Sequence, residues 1–470
     1  MTGDLVVRGG TVVDGDGVRR ADVLVRDGRI ASVEPELAAE DLDGIDGARV
    51  VDAGGAYVVP GGIDVHTHFA LPVGAVTSAD DFESGTLAAA CGGTTCVVDF
   101  AGAGREPWEE ALETWHARAR DRALVDYGFH LTVTELPEDV DAAARRFAEF
   151  LRHGVASVKL YLAYPDRLMV DDETLRRALE ASRRTGVRVC VHAEDGAAVE
   201  MLVAEAIAAG RTGAEAVPSA RPPSVEAEAI RRAAALAGVA DAWLYVVHLS
   251  SAAGLRAVRT ARSAGVDIHA ETCPHYLYLD AAHLAAGEQD FVCAPPLRGA
   301  DDRAALWGAL AEGDVEVVAT DHCPFTTTDR RRGTGGDGWV DFRQIPGGLS
   351  GVETRLSLAY QGVVDGRLPL ERWVEVTAGG PARLFGLDAV KGAVRRGLDG
   401  DLVVFDPGAR RTLDARNLHS RCDHSPYAGR VVTGWPAVTI SRGEVVAAAG
   451  EPVDPRPGRG RFVRRTPLAR

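Results

Sequence analysis

Residues 155–192 read VASVKLYLAYPDRLMVDDETLRRALEASRRTGVRVCVH. Two short runs rich in β-branched residues, 155–161 and 187–193, enclose Asp172–Thr185, a stretch of helical period. That is one strand–helix–strand unit. The rhythm continues on both sides. Strands are predicted at 62–67, 94–99, 127–134, 243–249, 266–272 and 315–320 as well. Helices are predicted at Ser84–Ala90, Pro107–Leu124, Asp139–His153, Ala197–Ala209, Val225–Ala237, Ser251–Ala264 and Asp301–Glu312. Eight repeats between Pro60 and Phe385 predict an α/β fold, a (β/α)₈ TIM-like barrel over 60–385. A doubly wound sheet would usually carry a Gly-rich phosphate loop after its first strand, and none follows 62–67. The one Gly-rich stretch, RRRGTGGDG at 330–338, lacks the Lys-Ser/Thr of a phosphate loop and reads as an exposed excursion.

The two chain ends differ from the middle and resemble each other. LVVRGGTVVDGDG and ADVLVRDGRIASVE near the start, and DLVVFDP and RVVTGWPAVTISRGEVVAAAG near the end, alternate apolar residues with Asp-Gly and Gly-Gly turns. Neither end is long enough for its own core. Residues 1–59 and 386–470 are therefore expected to combine into one small antiparallel β-sandwich domain.

Composition narrows the classes. A 46% hydrophobic and 26% charged chain of 470 residues is globular rather than disordered. A net charge of −16 argues against a nucleic-acid partner. The basic exception is the tail after Asp454, with six Arg and no acid, expected to be pinned to an acidic surface of its own or a neighbouring subunit. Seven Cys without paired spacing fit a reducing compartment. No leader precedes the strand-like Leu5–Val7, and no apolar run is long enough to span a membrane, so a cytoplasmic protein is expected. Only Lys159 and Lys391 interrupt a set of 50 arginines. Lys391, beside Gly392, is expected at a turn or the surface.

Reactive residues fall where a barrel would place them, at C-terminal strand ends. His66 and His68 alternate on one strand face. Lys159 lies in the fourth predicted strand, and His192, His248 and Asp321 end the fifth, sixth and eighth. A lone His at a strand end is usually structural, but four His and one Asp on one barrel suit Zn²⁺ or a similar ion. A neutral Lys amine can add CO₂ and become a bridging carbamate, which an always-charged Arg cannot. Glu194 and Glu271 are candidates for orienting the ligands, with ordinary loop polarity the alternative. The His322-Cys323 pair lacks a dedicated base and is not expected to be a nucleophile.

The strings PGGIDVHTHF, SVKLYLAY, VCVHAED, VVHLS, ETCPHYL, APPLR and ATDHCPF, in that order, resemble the hydantoinase/dihydropyrimidinase family of cyclic amidohydrolases. LPVGAVTSADDFESGTLAAACGGTTCVVDF, RPPSVEAEAI, GVETRLSL and CDHSPYAG extend the resemblance over essentially the whole chain. It implies two divalent ions, expected to be Zn²⁺. His66, His68 and Asp321 would bind one, His192 and His248 the other, with carboxylated Lys159 as bridge. It also implies Tyr164 as donor to the substrate carbonyl, Asp321 as general base and then acid, and the main chain at Ala294 and Gly347 as holding the ring. Leu71 and Tyr161 would face a ring substituent. The substrate would be a small cyclic ureide or imide, and the protein a homo-oligomer, dimer or tetramer. Three positions depart from the pattern: Ala294 replaces the usual Ser, Gly347 the usual Asn, and His424 a common Tyr. An allantoinase is the nearer alternative activity, and a scaffold relative without catalysis the alternative of another class; the latter is disfavoured because all six ligands are present.

Overall fold

The computed structural model describes residues 4–37, 48–331 and 341–468. Its centre is a sheet of eight parallel strands: Gly62–Thr67, Thr94–Ala101, Asp126–Thr132, Ser157–Tyr161, Arg188–His192, Leu244–Val246, Ile268–Thr272 and Val317–Val318. Each predicted strand corresponds to one of them in chain order. Their side chains are buried almost throughout, as strands covered on both faces must be. The helices lie between the strands. Asp172–Thr185 shows why: Asp171 caps its N-terminus through Thr174 N–H, and Gly186 ends it at φ 76°. Leu175, Ala178, Leu179 and Ser182 face the barrel, at helical spacing.

The first and last strands meet at one isolated bridge, Thr67 to His322, rather than a ladder. Side chains complete the seam. Asp64 accepts from Thr320 N–H at 3.1 Å and Thr320 Oγ1 at 2.6 Å. The buried Arg355 lies 3.9 Å from Asp64 and donates to Val318 O at 3.0 Å and to Thr94 Oγ1 at 3.1 Å. At the N-terminal end of the strands, Phe385 and Leu387 plug the interior against Val65, Val98 and Tyr245.

Both chain ends feed one nine-stranded sheet, joined where Leu402–Phe405 pairs antiparallel with Tyr57–Pro60. The pairing is not wholly antiparallel: Leu5–Asp14 runs parallel to both Arg49–Asp52 and Tyr57–Pro60. Among the described residues, no helix is long and apolar enough to cross a membrane.

Two expectations need correction. Lys391 is 3% exposed, not a surface residue. Its ammonium donates to Asp126 at 2.8 Å, to Asp399 at 2.9 Å and to Asp401. Three carboxylates from the barrel and the chain's C-terminal region converge there, and only a buried cation balances them. Arg330, at the start of the Gly-rich stretch, is buried too, donating to the carbonyls of Gln289, Val292 and Pro346. Positions 332–338 of that stretch lie outside the described residues. The basic tail is pinned to its own chain, largely by carbonyls. Arg459 donates to Leu124 O and Ser441 O, the buried Arg465 to Phe129 O, and Thr466 O accepts from Arg188. Carboxylates also take part, with Glu444 meeting Arg456 and Arg459.

Lys391→Ala should destabilise the fold by roughly 3–5 kcal/mol in chemical denaturation, because Asp401 and Asp399 lose their cation and Asp126 keeps only Arg442 as counter-charge. A loss within the range of an exposed pair, about 1 kcal/mol or less, would contradict this assignment.

Candidate active site

At the opposite end of the barrel from Phe385, one cavity of 380 Å³ gathers the eleven residues expected as ligands or substrate contacts: His66, His68, Leu71, Lys159, Tyr161, Tyr164, His192, His248, Ala294, Asp321 and Gly347. His66 comes from the first strand, with His68 just past its end; His192 ends the fifth. His248 and Asp321 follow the short sixth and eighth strands. His66 Nε2 and His68 Nε2 lie 3.2 Å apart, each 3.0 Å from Asp321 Oδ1. Across the mouth, His192 Nδ1 faces His248 Nε2 at 2.9 Å.

The nitrogens that face inward are set by what holds the other side of each ring. His66 Nδ1 is in close contact with Glu271 Oε1, so its Nε2 points to the cluster. His192 Nε2 meets Glu194 Oε2 at 2.8 Å, which turns its Nδ1 toward His248. Glu271 also accepts from Tyr245 OH at 3.0 Å and His248 N–H at 3.2 Å. Glu194 pairs in turn with the partly buried guanidinium of Arg221. Glu194 and Glu271 therefore fix the orientation of the His192 and His66 rings, an arrangement also used to fix tautomers at metal sites. His68 Nδ1 and His248 Nδ1 are buried without a partner among the described residues.

Burial holds His68 neutral, pushed down to about 4, and pushes His192 down and His248 well down. Burial opposes protonation of His66 as well, but Asp321 and Glu271 outweigh it and raise that ring to about 9. His66 and His68 keep Asp321 ionised in spite of its burial. His68, His192 and His248 thus offer lone pairs beside the ionised Asp321, and His66 keeps a positive charge between Asp321 and Glu271 that a bound cation would replace. Separations of 3.0–3.2 Å suit donors around one divalent ion with bonds of about 2.0–2.2 Å.

Lys159 contrasts with Lys391. Its Nζ lies 4.8 Å from the Phe100 ring centre and 5.1 Å from that of Tyr161, and among the described residues it has no carboxylate within salt-bridge range. Burial lowers it to about 8, against the pull of Asp321 and Glu271. A substantial neutral fraction is then present near physiological pH.

Three non-glycine residues here sit in the left-handed backbone region: Tyr164 at φ 67°, His248 at 41° and Asp321 at 50°. Such conformations persist only where the surroundings fix them, and they gather at functional sites. The Tyr164 ring lies beside His192, with centroids 5.3 Å apart, and under the Arg221 guanidinium at 5.1 Å. Burial keeps the Tyr164 phenol protonated.

Sequence reasoning missed Asp64, Asp99 and Arg221. Asp64 accepts from His66 N–H at 3.2 Å, besides bridging the seam. Asp99 accepts from Thr67 Oγ1, Phe69 N–H and Trp115 Nε1, which clamps the turn that presents His68. The signal available was an acid inside or at the end of an apolar strand, in GIDVH and VVDF. Other features stay out of the chemistry. His322 bridges Asp80 at 3.0 Å and Gly351 N–H at 3.0 Å. Cys323 lines the cavity, but burial pushes its thiol well up and it has no base. A Cβ on Gly347 would meet Cys293 Cα at 3.6 Å, ordinary contact, so loss of a side chain there reshapes the cavity rather than relieving a clash. His424 does not line the cavity.

An eight-stranded parallel barrel with histidines and a carboxylate converging at its mouth defines a metal-site hydrolase of the barrel type. The sequence profile of the Amidohydrolase family matches residues 57–446. A D-hydantoinase of Streptomyces coelicolor is 40% identical over 459 residues, covering 96% of both chains. A D-phenylhydantoinase of Escherichia coli is 40% identical over 473 residues, covering 99% of this chain and 98% of that one. The crystal structure of a dihydropyrimidinase from Brevibacillus agri superposes with a TM-score of 0.93 at 38% identity, over 99% of this chain and 100% of that one. An L-hydantoinase from Arthrobacter aurescens superposes at 0.87 with 30% identity, over 99% and 100%. The chain belongs to the amidohydrolase family, within its hydantoinase/dihydropyrimidinase branch. Membership implies a divalent metal site, for which His66, His68 and Asp321 form a ready ligand group.

Asp64→Ala should cost roughly 3–5 kcal/mol in chemical denaturation, since Arg355 is left buried without its anion. The same substitution should loosen His66 and reduce turnover. Unchanged stability together with unchanged turnover would show that the seam holds without this carboxylate.

Proposed function

We propose that this protein hydrolyses the ring amide of hydantoins or dihydropyrimidines, releasing N-carbamoyl amino acids. One observation carries the reading: Lys159, buried and without a carboxylate partner, sits in the same cavity as four histidines and Asp321. A neutral amine there can add CO₂, lose a proton and become a carbamate, supplying two anionic oxygens. His66, His68 and Asp321 would hold one ion, His192 and His248 a second, and the carbamate of Lys159 would face both. Imidazole and carboxylate donors suit zinc. Bound divalent ions would polarise a carbonyl and make water acidic enough to attack near neutral pH.

The chain's own groups account for the rest. Tyr164 donates its O–H to the ring carbonyl oxygen as negative charge grows there. Asp321 takes a proton from the attacking water and delivers it to the ring nitrogen as the C–N bond breaks. An amide nitrogen leaves poorly without that proton. The main chain at Ala294 and Gly347 borders the cavity where a planar ring would lie, and Leu71 and Tyr161 offer apolar surface to a ring substituent. Arg221 and Glu194 hold Tyr164 and His192 in register. We also propose that the protein works as a homo-oligomer.

The test is a substrate panel of dihydrouracil, hydantoin, 5-phenylhydantoin and allantoin, run with metal analysis. Ring opening of a hydantoin or dihydrouracil, with bound zinc, is expected. Turnover of allantoin alone would replace this reading with an allantoinase; no metal and no turnover would favour a scaffold. In the same assay Lys159→Ala should lose metal and activity, with partial rescue by a short-chain carboxylic acid. Full activity in Lys159→Arg would contradict the carbamate.

A further inference from the structure

A second group of ligand-type side chains lies outside the cavity. Cys422, Asp423 and His424 each bring one donor atom within 4.8 Å of the others. Cys422 Sγ is 3.6 Å from His424 Nδ1, and that nitrogen is 3.1 Å from Asp423 Oδ1. Around a tetrahedral zinc with bonds of about 2.3 Å to sulfur and about 2.0–2.2 Å to nitrogen and oxygen, neighbouring donors lie roughly 3.3–3.6 Å apart. The two separations from His424 Nδ1 are close to that. His424 Nδ1 carries either one proton or one lone pair, yet both a sulfur and a carboxylate face it. Access is available as well: Cys422 is buried, but the side chains of His424 and Asp423 are 20% and 48% exposed, which leaves a path from solvent.

We propose that Cys422, Asp423 and His424 form a binding site for one thiophilic divalent cation, zinc or a similar borderline ion, separate from the barrel-mouth cluster. Binding forms a metal–thiolate bond and releases the thiol proton to solvent, with no change of oxidation state. The surroundings indicate what the ion does. Asp423 Oδ1 accepts from Thr327 N–H at 2.9 Å, and Cys422 Sγ lies 3.3 Å from Phe325 O. Both belong to the loop that leaves the barrel just after Asp321. On the other side, Arg421 N–H and Ser420 Oγ reach Asp80, which also holds His322. An ion here ties the 420–424 segment to the loop carrying Asp321 and stiffens it from outside the cavity.

The test uses the full chain with its barrel-mouth metals in place, titrated with cobalt(II). None of the barrel-mouth ligand candidates is a cysteine, so a near-ultraviolet thiolate-to-cobalt charge-transfer band reports a site of this kind whether or not ring opening is observed. The band is expected to grow and saturate at one equivalent per chain. It should disappear in Cys422→Ser and in His424→Phe, with turnover in the absence of added metal unchanged. His424 is part-exposed, so its variant keeps the test open should the cysteine variant fold poorly. Cys293 and Cys323 line the main cavity, and a band that persists in both variants would belong to them and overturn the assignment. Absence of any band in the unmodified protein would overturn it equally.

Discussion

Asp64 spans the seam between the first and last barrel strands. It accepts from His66 N–H on one side and from Thr320 N–H and Oγ1 on the other, with Arg355 behind it. A barrel of parallel strands normally closes by its ladder, but here the eighth strand is two residues long and joins the first by one bridge. The closure therefore depends on a buried carboxylate and a buried guanidinium. Their position matters to the chemistry. His66 lies two residues beyond Asp64, and Asp321 follows Thr320. One side chain thus sets the distance between a histidine of the first strand and the carboxylate of the last.

The mouth is built by a related rule, buried carboxylates fixing the groups that face them. Glu271 and Glu194 take the outer nitrogens of His66 and His192, and each is supported in turn, by Tyr245 and by Arg221. What remains facing inward is a set of imidazole nitrogens with Asp321. The two lysines show the rule in both directions. Lys391 meets three carboxylates at the barrel base and stays a cation. Lys159 meets aromatic faces and histidines, has no acid within salt-bridge range among the described residues, and loses its proton more readily. One is a structural counter-charge and the other a buried amine lined by aromatic faces.

Much of this was legible in the chain. Buried parallel strands are continuous β-branched runs, so all eight could be located, and a His or Asp at the end of such a run is conspicuous. His66, His68, His192, His248 and Asp321 were singled out that way, and Lys159 because it is one of only two lysines; all six line one cavity. Pairing across the seam was not legible, because Asp64 and Thr320 are 256 positions apart and nothing local marks them as partners. Lys391 was misplaced for a local reason: a lysine before a glycine reads as a turn, and its three carboxylates come from positions 126, 399 and 401. Arg330 was misplaced likewise, since the carbonyls that bury it belong to other loops. The parallel pairing of Leu5–Asp14 escaped because alternation shows a strand but not its neighbour's direction.

We propose that Lys159 is carried as a carbamate among the histidines of the mouth. It can be examined by reconstituting the protein with zinc and isotopically labelled bicarbonate and recording its carbon NMR spectrum. One protein-bound carbamate resonance is expected, appearing with the metal and missing from Lys159→Ala. A fully metallated, active protein with no such resonance would contradict it.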